Sequence, residues 1–337
     1  MVLLDDRESQ TFGAIRQNWL LTNCIIMNIL VTGGAGFIGS HLNDALIVRG
    51  HQITVVDNLV LGLKENIAHW EGNPQFKFVE ADILDNEIMH RVFKEGQFDM
   101  VYHLAANSDI QKGGKDPIVD YQLTFNTTFR ILQLLKEFEI KKFFFASTSA
   151  IFGETYDVLN ENYGPLKPVS NYGAGKLASE AFISAFSSTY GIQTWITRFP
   201  NVVGERFTHG VIYDFIHKLQ KNPNELEVLG NGEQCKPYVY VKDLVDGILY
   251  VIDHATEKYN VYMLGSDSRT KVKEIAAMVI EEMGLQAKIR YTGGDRGWVG
   301  DVPEFRYDLT KVNNLGWKAP HNSNDSVRLA IQKALEK

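Results

Sequence analysis

Ile29-Leu-Val-Thr-Gly-Gly-Ala-Gly-Phe-Ile-Gly-Ser40 passes from a run of strand formers, through glycines at 33, 34, 36 and 39, into a helical pattern. Three of these glycines have a mechanical reading. Gly33 permits the tight turn that ends the strand, Gly36 lets backbone approach a bound group, and Gly39 lets the helix lie close on the sheet. The first N–H groups of a helix lack partners within it and carry its positive dipole end, so they favour an anion such as a pyrophosphate. Glycines alone are weak evidence. Here they follow the first strand and open a helix, which is the context the mechanism needs. Phe37 and Ile38 fall on the same cofactor-facing turn.

Outward from that turn, short β-rich runs at 29–32, 53–56, 76–80, 100–104, 143–147 and 194–197 alternate with helical patterns near 40–49, 86–95, 117–138 and 171–190. Apolar strands without polar alternation, separated by helices, predict a parallel sheet covered on both faces. The expected fold is α/β, a Rossmann-type doubly wound parallel sheet whose ligands lie beyond the carboxyl ends of the strands. After about residue 200 the alternation becomes irregular, which predicts a smaller α/β substrate lobe closing the cleft. The expected division is an N-terminal extension (1–26), a dinucleotide-binding domain (27–200) and a substrate-binding lobe (201–337). The first 26 residues open with an acidic cluster, the wrong flank for a secretory signal, and Met27 stands directly before the first strand. They are read as a dispensable extension.

A chain of 337 residues with 45% hydrophobic and 22% charged side chains is long enough for a nucleotide domain and a second lobe. The net charge of −7 argues against general affinity for nucleic acid or anionic membranes. Two cysteines, Cys24 and Cys235, have no metal-ligand spacing, so no metal site and no disulfide framework are expected and the natural compartment is the cytoplasm. No run reaches the roughly 18 apolar residues of a membrane span.

Asp57 ends the second strand, where a carboxylate accepts hydrogen bonds from adenosine ribose hydroxyls and repels a 2′-phosphate, which favours NAD over NADP. A plain loop aspartate is the competing reading. Asn58 follows it, and Asp82-Ile83 and Leu104-Ala105-Ala106 follow the third and fourth strands, so they edge the same cleft.

Tyr-x-x-x-Lys spacing occurs four times, so the pattern needs context. Prolines interrupt Tyr163/Lys167, Tyr238/Lys242 lies in a β-like run, and Tyr307/Lys311 is far along the chain. Tyr172/Lys176 opens a long helix, where residues four apart are neighbours. A free phenol has a pKa near 10. An adjacent ammonium, together with the positive charge of an oxidised nicotinamide, would stabilise the phenolate that removes a proton from a sugar hydroxyl. Upstream, Phe143-Phe-Phe-Ala-Ser-Thr-Ser149 ends a buried strand in three hydroxyls, one of which can relay that proton; capping a turn is their alternative role.

Thr32-Gly-Gly-Ala-Gly-Phe-Ile-Gly39, His103-Leu-Ala-Ala106, Ser147-Thr-Ser149, Tyr172-Gly-Ala-Gly-Lys176, Arg198-Phe-Pro-Asn-Val-Val-Gly204 and Leu315-Gly-Trp317 together resemble the extended short-chain dehydrogenase/reductases, within them the UDP-glucose 4-epimerase-like group. The resemblance runs from Met27 almost to the end. It implies that Thr148, Tyr172 and Lys176 are the catalytic set, with Tyr172 and Lys176 also against the cofactor, and that NAD remains bound. The implied reaction moves the C4 hydride of a nucleoside-diphosphate sugar to NAD and back to the opposite face of a 4-keto intermediate. Relatives that dehydrate carry Asp-Glu after the threonine, and decarboxylating ones carry Glu; this chain has Ser149-Ala150.

The resemblance also implies Asn201 near the diphosphate. Lys236-Pro237 replaces the usual Arg-Asp, keeping a charge but losing bidentate geometry, and Thr124 replaces an asparagine on the cofactor side. Arg296 is the second candidate for the diphosphate, and both cations have surface charge as their competing role. A homodimer through the 117–138 and 171–190 helices is implied. Two other functions stay in view: a dehydrogenase or 4-keto reductase with exchangeable cofactor, and a non-catalytic NAD-binding protein.

Overall fold

Seven runs rich in Val, Ile, Phe and Tyr form one sheet: β1 (Asn28–Thr32), β2 (Gln52–Asp57), β3 (Phe76–Glu80), β4 (Met100–His103), β5 (Lys142–Thr148), β6 (Gln193–Phe199) and β7 (Tyr259–Met263). The computed structural model describes residues 25–294, 302 and 304–336. The strand order is 3-2-1-4-5-6-7 and every neighbouring pair is parallel. Successive side chains point to opposite faces. Ile29, Val31, Phe144 and Ala146 therefore enter one core, and Leu30, Phe143 and Phe145 enter another on the opposite side. This double burial is why the strands read as continuous apolar runs. The direction of strand addition reverses between β1 and β4, which places the switch point at their carboxyl ends.

Helices α1 (Phe37–Val48), α2 (Asn86–Gly96), α3 (Thr127–Glu137) and α4 (Asn171–Tyr190) cover the sheet. Asp85 caps α2 by accepting from the N–H groups of Glu87 and Ile88, and Ser170 caps α4 by accepting from Gly173. Helix α4 ends at Gly191, whose φ of 69° is the left-handed cap that glycine adopts without strain. Helix α1 starts at Gly36 without any side-chain cap.

Two elements depart from the sequence reading. The helix expected over 117–138 is broken: a turn at Pro117–Asp120 runs into a π-helical stretch, Tyr121–Asn126, before α3. The hydroxyls of Thr127 and Thr128 donate to the carbonyls of Leu123 and Thr124, back-bonds that accompany such an irregularity. The chain also returns to the sheet after residue 200, so the sheet does not end at the division expected there. Helix α6 (Val241–His254) packs beside α1 and leads to β7, where the buried Asn260 interrupts the apolar run. The remaining lobe has its own core, with Phe215 of α5 (Val211–Lys221), Val279 of α7 (Val272–Glu282) and Ile331 of α8 (Ser323–Leu335). Among the described residues, no helix is long and apolar enough to cross a membrane.

Helix α4 turns a polar stripe toward the sheet. Glu180 accepts from Arg198 Nε at 3.1 Å and Nη2 at 2.6 Å, and from the Ser147 hydroxyl; both charged side chains are nearly closed to solvent. Removing one partner leaves the other charge buried and unpaired. Glu180→Leu should therefore destabilise the protein by about 3–5 kcal/mol in urea unfolding, and adding Arg198→Met should recover most of that loss.

Candidate active site

The turn after β1 and the end of β4 meet backbone to backbone. Gly33 has φ 73°, and a Cβ there would lie 2.6 Å from the Ala105 nitrogen. A Cβ on Gly39 would lie 2.2 Å from the Gly33 carbonyl oxygen, so α1 can leave the turn this closely only without a side chain. At Gly36 a Cβ would meet only that same carbonyl, at 3.1 Å; the other side is open. Beneath the turn, Thr32 Oγ1 lies 2.6 Å from His103 Nδ1, and His103 Nε2 lies 3.1 Å from Thr128 Oγ1. Burial holds His103 at about 3, so it is neutral and one nitrogen accepts.

Asp57 accepts from the Ala35 and Leu59 N–H groups, at 3.0 and 2.9 Å, one on each oxygen. A carboxylate has lone pairs left over for ribose hydroxyls. Burial pushes this carboxyl up and the two backbone bonds oppose that. Asn58 Nδ2 donates to Asp82 at 3.4 Å, joining the loops after β2 and β3, and Ile83 is buried beside them. Leu104, Ala105 and Ala106 remain partly accessible at the end of β4. An uncapped helix start, a glycine cradle that any Cβ would fill, and a buried carboxylate at the end of β2 fit a dinucleotide. Among the described residues no cluster of potential ligands could hold a metal.

The structure brings Thr148, Tyr172 and Lys176 together at the end of β5. Thr148 stands beside the Tyr172 phenol, close enough to draw its pKa down. Lys176, however, donates to the Ala146 carbonyl at 2.7 Å, and its Nζ lies 4.5 Å from the centre of the Phe145 ring and 5.9 Å from that of Tyr172. Burial lowers this amine to about 7, against the pull of Glu180 one turn away. Burial pushes the Tyr172 phenol up to about 12; Thr148 draws it down and the Asp120 carboxyl pushes it further up. In this structure the amine's hydrogen bond goes to the strand beneath the helix, with the Tyr172 ring beside it.

Thr124 is also corrected. Its side chain is fully enclosed, accepts from the Asn107 N–H at 3.3 Å and packs on Gly175. It buttresses the site and offers no surface to a ligand. Asn107 and Asp120 were missed. Asn107 Nδ2 donates to Asp120 Oδ1 at 2.8 Å, both are buried, and burial pushes the Asp120 carboxyl up. Nothing in the local sequence distinguishes these two from loop residues.

On the other side of the cleft, Asn201 is exposed at the start of the short strand Asn201–Val203, which follows β6 after Pro200. Asn201 pairs in register with Tyr238 in a separate two-stranded sheet, which brings the Lys236-Pro237 segment close to it. Arg296 lies outside the described residues.

The chain belongs to the NAD-dependent epimerase/dehydratase family, whose model matches residues 29–265. It is 34% identical over 310 residues to a Methanocaldococcus jannaschii protein provisionally named a UDP-glucose 4-epimerase, covering 90% of this chain and 97% of that one. It is 30% identical to UDP-glucuronic acid decarboxylase 1 of Xenopus tropicalis, over 86% of this chain and 68% of the relative. The UDP-glucose 4-epimerase of Thermotoga maritima, solved with UDP-glucose, superposes with a TM-score of 0.82 at 31% identity, over 91% of this chain and 98% of that one. The cofactor is NAD, and the fold is that of these enzymes.

The buried amine links stability to pH. A folded value near 7 against an ordinary 10.5 means that the unfolded chain binds more protons between those limits, so stability rises with pH across that window. The cost of burying Lys176 is complete below about 7 and gone above 10.5. In NAD-stripped protein, Lys176→Met should raise the melting temperature at pH 7, with the gain shrinking toward pH 10.

Proposed function

We propose that the chain is an NAD-dependent 4-epimerase of a nucleoside-diphosphate sugar. The observation that carries this reading is the meeting of Thr148 and Tyr172 at the carboxyl end of β5, with Ser149 and Ala150 in the positions that follow. A phenol and a hydroxyl suffice to take a proton from a sugar O4 and return it. Dehydration and decarboxylation in the family use a carboxylate after that threonine, and neither serine nor alanine replaces one.

NAD, when bound, supplies the acceptance and return of a hydride. Gly33, Gly36, Phe37, Ile38 and Gly39 would hold its pyrophosphate, Asp57 and Asn58 its adenosine ribose, and Lys176 its other ribose. Tyr172 takes the O4 proton, and Thr148 relays it between sugar and phenol. Asn201 and Lys236 face the diphosphate from the lobe, with Arg296 as a second cation. The protein's work is to set the phenol's acidity, exclude water and let the oxidised sugar present either face.

Tyr172→Phe should lower turnover by about 10²–10⁴, the range of lost acid–base catalysis, while NAD stays on the purified protein. The assay supplies UDP-glucose and UDP-N-acetylglucosamine without added NAD and follows the C4 epimer. Turnover only with added NAD(H) would instead identify a net oxidoreductase.

We also propose a homodimer through the 117–138 stretch, which ends in α3, and α4. Phe125 and Phe129 lie 5.4 and 5.2 Å from the Phe182 ring, and Phe182, Tyr121 and Ile118 are exposed. An apolar face of this kind on a soluble fold marks an interface. Phe182→Glu should halve the mass found by sedimentation equilibrium; an unchanged mass would exclude this face.

A further inference from the structure

Helix α1 carries Phe37, His41 and Asp44 on one stripe, and three consecutive residues after β6 grip that stripe. Phe207 meets the Phe37 ring edge-on at 6.3 Å. The Glu205 carbonyl lies 3.1 Å from His41 Nε2, and since a carbonyl only accepts, that nitrogen carries the proton. Arg206 Nη1 lies 2.8 Å from Asp44 Oδ2. Asp44 also accepts from Trp70 Nε1 at 2.6 Å, so it ties α1 to the segment after β2 as well.

From the lobe side the grip is anchored. Glu205 accepts from the Tyr240 hydroxyl at 2.7 Å, and its other oxygen lies 2.9 Å from Lys242 Nζ. The Phe207 ring also meets Tyr213, in the first turn of α5, at 6.0 Å. Backbone geometry sets the segment apart. Gly204 and Gly210 have φ of 154° and 107°, and Arg206 holds φ 67°, which is unfavourable for a residue with a side chain. A conformation of that kind persists only where its surroundings over-determine it. Here they do, through the ion pair to α1.

We infer that Gly204–Gly210 is a strap that fixes the phosphate-binding helix and controls how long NAD stays bound. Phe37 is the first residue of α1 after Gly36, so Phe207 braces the very turn whose N–H groups face the pyrophosphate. Departure of a dinucleotide from a cradle this tight requires the turn or its cover to move. The strap links that turn to the lobe, so it has to let go first. A cofactor that is regenerated every cycle gains from such a device, and the inference rests only on NAD being held there, not on which sugar reacts.

The test uses the NAD-loaded protein and excess isotopically labelled NAD, with exchange followed by mass spectrometry. Phe207→Ala and Arg206→Ala should each speed release tenfold or more, and Arg206→Lys should stay near the wild-type rate. Asp44→Asn, which weakens the ion pair from the helix side without altering the strap, should reproduce Arg206→Ala. Exchange is read well below the melting temperature of every NAD-stripped variant, and Leu219→Ala, in the lobe's core outside the strap, controls for lost stability. Unchanged release in a Phe207→Ala/Arg206→Ala double variant would overturn the inference, as would equally fast release from Leu219→Ala. Because exchange is read without any sugar, an absence of epimerase activity would count against the proposed reaction and leave the strap standing.

Discussion

The whole arrangement depends on one close approach: the backbone of Gly33 against that of Leu104 and Ala105, with no room between them for a β-carbon. With β1 and β4 paired to their last residues, the connections that leave them run to opposite faces of the sheet, and a crevice opens beyond their carboxyl ends. The Thr32–His103–Thr128 bonds tie its floor together. Every group assigned to the cofactor is hung from that crevice: the start of α1, the Asp57 carboxylate at the end of β2, and the small residues after β4. Widening it by a single methyl would shift all of them at once.

Beside the crevice the protein accepts an unusual burden. The face of α4 toward β5 carries Lys176 and Glu180 where a helix ordinarily presents apolar side chains, and Arg198 answers from β6. Buried charges are costly unless paired and hydrogen-bonded. Glu180 and Arg198 satisfy that condition; Lys176 meets it only partly, through one carbonyl, and its affinity for a proton falls accordingly. The phenol one turn earlier stays neutral for the same reason. The two groups that the proposed chemistry needs charged are thus held in a site that disfavours charge.

Much of this could be read from the chain. The parallel sheet followed from strands that alternate between two cores and therefore show no polar face. The phosphate turn followed from glycines placed between a strand and a helix. Tyr172 could be chosen among four similar spacings because only there does a long helix begin. The rest depended on distant partners. β7 carries a buried asparagine that only its pairing with β6 explains. The break before α3 is accompanied by threonine hydroxyls bonded back to carbonyls four residues earlier, which no hydropathy pattern signals. Asn107 and Asp120 are joined by a hydrogen bond across 13 positions that no local pattern signals. The hydrogen bond from Lys176 to β5 could not be read either, because spacing places two residues on one helical face and says nothing of the strand below.

The central claim is that Tyr172 becomes a base only when a positive charge joins it in this crevice. Ultraviolet difference titration of wild type against Tyr172→Phe, each saturated with NAD, reads the ionisation of that phenol directly. The account predicts a tyrosinate signal appearing near neutral pH in the loaded enzyme, far below the value of about 12 that burial, Thr148 and Asp120 together set. A phenol that still ionises near 12 with NAD bound would contradict it.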